Sequence, residues 1–305
     1  MLAKLQAVMA GVLLALLGCA VALVLNGHTK SGWALMATVL CGHAVVLGLE
    51  FMLVAWQHRT DPAPRATLAQ LLRAWWHEAL VAPQVFVWRQ PFRSQAWPDL
   101  CPPQGAATNA PARPGVLLVH GYVCNRGLWN PWMQRLRAAG VPHVAVNLEP
   151  VFGSIDDTRP VLEAAVQRLH QATGCAPLVV CHSMGGLALR AWWAQPGNRH
   201  RLAQVFTLGT PHQGTWLARW GFSRNARQMC QGSPWLQRLS ALEQDGRYAA
   251  VTCFFSHADN IVFPASTATL PGAQHRHLPA CAHVQMAQHP APWQAVAEAL
   301  GLPQR

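Results

Sequence analysis

The sequence predicts an α/β domain, a mostly parallel sheet with helices on both faces, set behind two apolar helices at the N-terminus. Three observations predict it. Strand-like and helix-like stretches alternate from Gly115 onward, two long stretches before residue 57 are nearly free of charge, and a serine sits where a buried strand turns into a helix. Alternation at this spacing builds strand–helix–strand units, whose crossover helices cover the sheet on both sides. A chain of 305 residues holds one such domain with material left over at the front.

That material is the two apolar runs. Leu5 to Leu25 carry no charge and Trp33 to Trp56 carry only Glu50; each meets the roughly 20 residues that cross about 30 Å of hydrocarbon. A two-helix transmembrane hairpin over residues 1–56 is the direct reading. Lys4 followed by an apolar run is also the pattern of a cleaved signal peptide, and Leu16-Leu17-Gly18-Cys19 has the form of a lipoprotein box, although the apolar run continues past the cysteine through Val24. Lys4, Arg59, Arg65 and Arg73 flank the outside of the hairpin and Lys30 alone lies in its connector, which places both ends in the cytosol. Nine cysteines without a C-x-x-C pair fit reduced thiols and the same placement: a multi-pass anchor in the inner membrane with a cytoplasmic domain. Glu50 and His43 share one helix face; six residues from Trp56, the Glu50 carboxylate reads as approaching the interface, and the first run offers it no charged partner.

Residues 57–113 read as a juxtamembrane segment and linker. Thr67 to Val81 has helical spacing, with Leu68, Leu71, Leu72, Trp75, Trp76 and Leu80 on one side and Arg73, His77 and Glu78 elsewhere. Such a helix lies on a bilayer surface or packs on the following domain, and the spacing does not choose between them. Cys101 to Pro114, rich in Pro, Ala, Gly and Asn, reads as a loop. From residue 114 to 305 the elements alternate: strand Gly115 to Val119, helix Arg126 to Ala139, strand His143 to Asn147, helix Asp156 to Thr173, strand Leu178 to Cys181, helix Met184 to Ala194, strand Gln204 to Leu208 and, later, strand Ala249 to Phe255. Between them, residues 215–248 leave the pattern for longer than a plain connection needs, which suggests a cap or lid; Trp216 and Trp220 give it apolar surface.

The motif that carries chemistry is Cys181-His182-Ser183-Met184-Gly185-Gly186, close to the G-x-S-x-G nucleophile elbow and framed as that elbow requires by a strand before and a helix after. Three further stretches join it: Val116-Leu117-Leu118-Val119-His120-Gly121-Tyr122, Gly209-Thr210-Pro211-His212-Gln213-Gly214-Thr215 and Ala282-His283-Val284-Gln285-Met286. Together they resemble the bacterial lipase and esterase branch of the α/β-hydrolases, the triacylglycerol-lipase-like enzymes, over roughly residues 114–300. The sequence departs from that pattern at Cys181, where the elbow has its first glycine, and at Ala282, where a glycine precedes the histidine.

The resemblance implies an α/β-hydrolase fold and a Ser-His-Asp triad in the order serine, acid, histidine. Ser183 is then the nucleophile. After it the carboxylates are Glu243, Asp245, Asp259 and Glu298; Asp259, just beyond the strand that ends at Phe255, stands where the fold presents its acid. Among His275, His277, His283 and His289, His283 has the family's loop and its Met286 partner. The backbone N–H groups of Tyr122 and Met184 would form the oxyanion hole. His120, Gly121, His182, His212, Trp216 and Trp220 are expected around the substrate pocket. The implied activity is hydrolysis of carboxylic esters, with a thioesterase, amidase or lipid-deacylating enzyme, or an inactive binding scaffold, as alternatives.

Fifteen histidines show neither H-E-x-x-H nor a cysteine–histidine cluster at zinc spacing, and no phosphate loop or dinucleotide fingerprint is present, so no metal or cofactor is expected. From residue 57 onward 21 Arg, no Lys and 11 carboxylates leave an excess of ten positive charges. No nucleic-acid motif accompanies it, and an anionic leaflet beside an anchored domain is the expected partner.

Overall fold

The structure is a computed structural model describing residues 1–57, 61–102, 113–243 and 246–303. Most of the expected linker 101–114, Arg59 and the alternative acid Asp245 lie outside the described residues.

Six strands form one parallel sheet in the order β2-β1-β3-β4-β5-β6: β1 (Val116–Val119), β2 (His143–Ala145), β3 (Leu178–His182), β4 (Gln204–Leu208), β5 (Val251–Phe255) and β6 (Gln274–His277). The short apolar runs become strands because both faces are covered. Leu117, Val119, Val179 and Cys181 point into one core with helices α6 (Arg159–Thr173) and α7 (Met184–Trp193), while Val116, Leu118, Leu178 and Val180 point into another with α5 (Asn130–Ala138) and α10 (Pro290–Ala299). That split is the period of two of an extended chain. Gly174 in the left-handed conformation ends α6, as a residue without a Cβ does at low cost.

In front of the sheet domain, α1 (Leu2–Leu25) and α2 (Thr29–Gln57) form an antiparallel hairpin. The helices close up at Gly32, where an added Cβ would lie 2.7 Å from the carbonyl of Ala20. Both are long and apolar enough to cross a membrane. α3 (Leu68–Pro83) starts on a capping box in which the Thr67 hydroxyl accepts from the Gln70 N–H and the Gln70 side chain accepts from the Thr67 N–H. It runs through a π-helical turn, Gln84–Arg89, into the short α4 (Gln90–Phe92).

α3 packs on the sheet domain, and it does not divide as its spacing suggests. Leu71, Ala74, Glu78 and Ala79 are buried, whereas Leu68, Leu72, Trp76 and Leu80 stay exposed. A carboxylate thus faces inward, and four of the six apolar residues assigned to one side face out. The insertion between β4 and β5 contains a 3₁₀ turn (Trp216–Trp220), α8 (Arg224–Gln228) and α9 (Pro234–Ala241).

Candidate active site

Ser183 ends β3 and caps α7 with φ 56° and ψ −132°, a left-handed conformation that costs a non-glycine residue energy and stands its side chain at the carboxyl edge of the sheet. Close packing holds it there. The Thr210 hydroxyl donates to the Ser183 carbonyl at 2.9 Å, and the Ser183 N–H donates to the carbonyl of Leu208. Gly121 of the H-G turn comes so near that an added Cβ would sit 2.6 Å from that of Ser183. Cys181, in place of the elbow's first glycine, is fully buried in the sheet core, where its small side chain leaves the turn free.

Asp259 lies in the loop after β5 and is buried with His283. Its Oδ2 meets Nδ1 of His283 at 3.0 Å, and its Oδ1 accepts the N–H groups of Ile261 (2.9 Å) and Val262 (2.8 Å). Gly209, with φ 55°, makes room for the pair: a Cβ there would lie 2.9 Å from Asp259 Oδ2 and 3.1 Å from His283 Nδ1. Burial pulls the His283 pKa down, and the charge and hydrogen bond of Asp259 outweigh it, leaving the imidazole above its ordinary value. Ser183 and His283 line one cavity of about 470 Å³. Met184 opens α7, so its N–H belongs to the first turn, which has no intrahelical acceptor. Tyr122 lines the same cavity.

The other residues singled out in the sequence divide. His182 lines the cavity; its Nε2–H donates to the His283 carbonyl at 2.9 Å, and burial followed by the neighbouring His283 pushes its pKa down to about 3, which keeps it neutral. His120 lies outside the cavity lining. Its Nε2 accepts from the Leu148 N–H at 3.0 Å, and burial takes its pKa to about 4, so it braces the H-G turn against the end of β2. His212 points to the far side of the sheet edge, against the Thr207 hydroxyl and beside the buried Arg190–Glu243 ion pair. The expected lid tryptophans do not cover Ser183 either. Trp216 stacks on Phe263 and meets Trp56 of α2 edge-on, and Trp220 packs edge-on against Trp216 with 65% of its surface exposed. The insertion packs against α2, and the wall over Ser183 is built by α2 and α3 instead.

Three residues of the site were not read from the sequence. Glu78 of α3 is buried, and its two oxygens accept the N–H groups of Val284 (2.8 Å) and Gln285 (3.0 Å), directly after His283. Burial raises its pKa to about 7 against those hydrogen bonds. Asn260 accepts the His283 N–H at 3.2 Å and donates to Glu50 Oε2 at 2.7 Å. Glu50, taken from its position as an interfacial carboxylate without a partner, is therefore tied to the loop that carries Asp259. A carboxylate amid apolar positions of α3 and an asparagine after Asp259 were the available signals; the contacts span more than two hundred residues, so neither could be paired in advance.

No family of known proteins matches the sequence, and no curated protein matches it. Solved structures match the fold. The mature form of lipase BlEst2 from Bacillus licheniformis superposes with a TM-score of 0.56 at 18% identity, over 63% of this chain and 94% of that one. Lipase B from Aspergillus fumigatus superposes with a TM-score of 0.54 at 19% identity, over 62% of this chain and 52% of its own length. The fold is thus the α/β-hydrolase fold, as in these two lipases.

Proposed function

We propose that the protein is a membrane-anchored serine hydrolase that cleaves carboxylic esters. The reading rests chiefly on one observation: Ser183 has the strained backbone of a nucleophile elbow and shares a cavity with His283, whose Nδ1 is held by Asp259. In this reading Ser183 Oγ attacks the ester carbonyl and gives its proton to Nε2 of His283, while Asp259 fixes the tautomer and stabilises the imidazolium. The N–H groups of Tyr122 and Met184 hold the oxyanion. Collapse of the tetrahedral intermediate breaks the ester C–O bond; the leaving alkoxide takes the proton from His283, and water releases the acyl group from Ser183 by the same steps in reverse.

Residues 1–56 form the anchor, 57–113 join it to the body, and 114–305 form the hydrolase domain with its insertion at 215–248. Integration of α1 into the body supports retention of the first helix: Gln6 is buried and donates to Gln90 Oε1 at 2.7 Å. The positive-inside balance places the body in the cytosol, with its excess arginines next to an anionic leaflet.

Labelling with a fluorophosphonate, which phosphonylates an activated serine, tests the nucleophile. The full-length protein in detergent is expected to react at Ser183. Ser183→Ala is expected to abolish labelling and to lower kcat on esters on the order of a millionfold with the fold intact; retention of more than about a tenth of the activity excludes Ser183.

A further inference from the structure

The wall of the cavity is also a wall of the membrane anchor. From α2 come Val46, Leu47 and Glu50, from the π-helical turn comes Phe86, and Ser183 and Ile261 belong to the body. Ser183 is 6% exposed, whereas Val46, on the same cavity, is 56% exposed among other outward apolar side chains, Val45 and Leu49. The cavity therefore reaches from the nucleophile to the outer surface of α2.

Its depth relative to a bilayer follows from how far the hairpin stands clear of the body. Among the described residues, the hydrogen bonds joining α2 to the rest of the chain begin at His43, whose Nε2–H donates to the Ala79 carbonyl, and continue with the Trp75 indole N–H to the Ala44 carbonyl and with the Asn260 side-chain N–H to Glu50 Oε2. Ahead of His43, residues 29–42 rise only about 21 Å at 1.5 Å per residue. A hydrocarbon core of about 30 Å is deeper than that. The hydrocarbon must then reach along α2 to the level of Val46, where the exposed Leu72, Trp76, Leu80 and Trp88 of α3 and the π-helical turn supply an apolar and aromatic border.

We infer that the cavity over Ser183 opens sideways into the bilayer between α2 and the segment Ala82–Phe86, and that its ligand is the acyl chain of a membrane-resident ester entering from the lipid rather than from water. The inference rests on the hydrolase reading above and assigns the second anchor helix a place in the substrate site. Leu47, Phe86 and Ile261 then flank the chain, and the insertion with Trp216 and Trp220 has no part in holding it.

A dodecyl fluorophosphonate carrying a diazirine at the chain end, reacted with the full-length protein in phosphatidylcholine vesicles and then irradiated, separates the two readings. Phosphonylation at Ser183 reports the nucleophile. The cross-link reports where the chain lies, and it is expected within residues 43–54 or 79–92. Cross-links confined to residues 216–236, or Ser183 labelled with no cross-link to α2 or the π-helical turn, overturn the lateral site while leaving the nucleophile standing; no phosphonylation at Ser183 overturns both. Leu47→Trp, which fills the passage, is expected to lower the ratio of kcat/KM for dodecanoyl over acetyl esters on the order of tenfold or more, with the midpoint of thermal unfolding as the check on folding. An unchanged ratio in a variant that still labels also overturns the inference.

Discussion

At the residue scale, Asp259 is fixed by more than its histidine. Both N–H donors on Oδ1 and the imidazole on Oδ2 require a group that only accepts. Asp259→Asn must turn an NH₂ toward one of those donors or toward Nδ1–H, so it is expected to lose the correct tautomer and on the order of ten-thousandfold in kcat, with folding retained. In the proposed mechanism neutral His283 is the base, so wild-type kcat/KM is expected to fall as pH drops through the raised His283 pKa. Because Asp259 is what raises it, the acid limb of the residual activity is expected at lower pH in the asparagine variant; an unmoved limb would show that the titrating group is not His283.

Glu78 makes a second case at this scale. Its folded pKa of about 7 lies above the ordinary carboxylate value, so the folded chain holds a proton that the unfolded chain has released between about pH 4.5 and 7. Stability from this group is therefore present below the unfolded pKa and lost as pH rises through the folded one, by roughly 3 kcal/mol in all. Glu78→Gln removes the titration. Thermal unfolding of wild type and variant, followed by tryptophan fluorescence across that range, is expected to show the variant gaining on the wild type as pH rises, whereas parallel curves would remove Glu78 as the source. Glutamine can accept only one of the two N–H groups of Val284 and Gln285, so the His283 loop loosens, and a fall in kcat rather than a rise in KM is the expected signature.

Among the elements, α3 couples the apolar hairpin to the loop that carries His283. One of its faces carries Glu78 to the His283 loop, and its Trp75 indole is bonded to α2. Its start depends on the Thr67 capping box. Thr67→Ala is expected to cost about 1 kcal/mol. The loss should appear as lower Tm and earlier thermal inactivation while activity at low temperature stays near wild type, because Thr67 touches nothing in the site; inactivation at the wild-type temperature would mean that the cap does not limit this helix. The helical period of α3 was legible in the sequence, as were all the strands named there. Which side of it faces inward was not, because a periodicity argument sorts residues by polarity and here a partly protonated carboxylate is buried while leucines face out. The same limit applies to the insertion: its length and tryptophans announced a separate unit, but only packing against Trp56 and Phe263 decided that the unit clasps α2 instead of closing over Ser183.

For the whole molecule, the proposed topology with the body in the cytosol makes a labelling prediction. With Cys19 and Cys41, the exposed cysteines of the hairpin, replaced by serine, a cysteine introduced between Asn26 and Ser31 is expected to react with an impermeant maleimide added to intact cells, and one introduced near Gly272 only after lysis. The reverse pattern would put the sheet domain outside and overturn that topology.

Taken alone, the amino-acid sequence determined the parallel sheet, the strand–serine–helix turn at Ser183 and the two apolar helices. Each is written in a local pattern: alternation of elements, a serine between strand and helix, a run without charge. Asp259 and His283 were singled out through the resemblance, and their contact belongs to the tertiary structure. Tertiary structure alone decided that Glu78, Glu50 and Asn260 surround the histidine loop, that His120 and His212 stand apart from the cavity, and that α2 rather than the insertion walls it. These depend on contacts between residues far apart in the chain, and such contacts are fixed by the packing of helices against the body, which no local periodicity encodes.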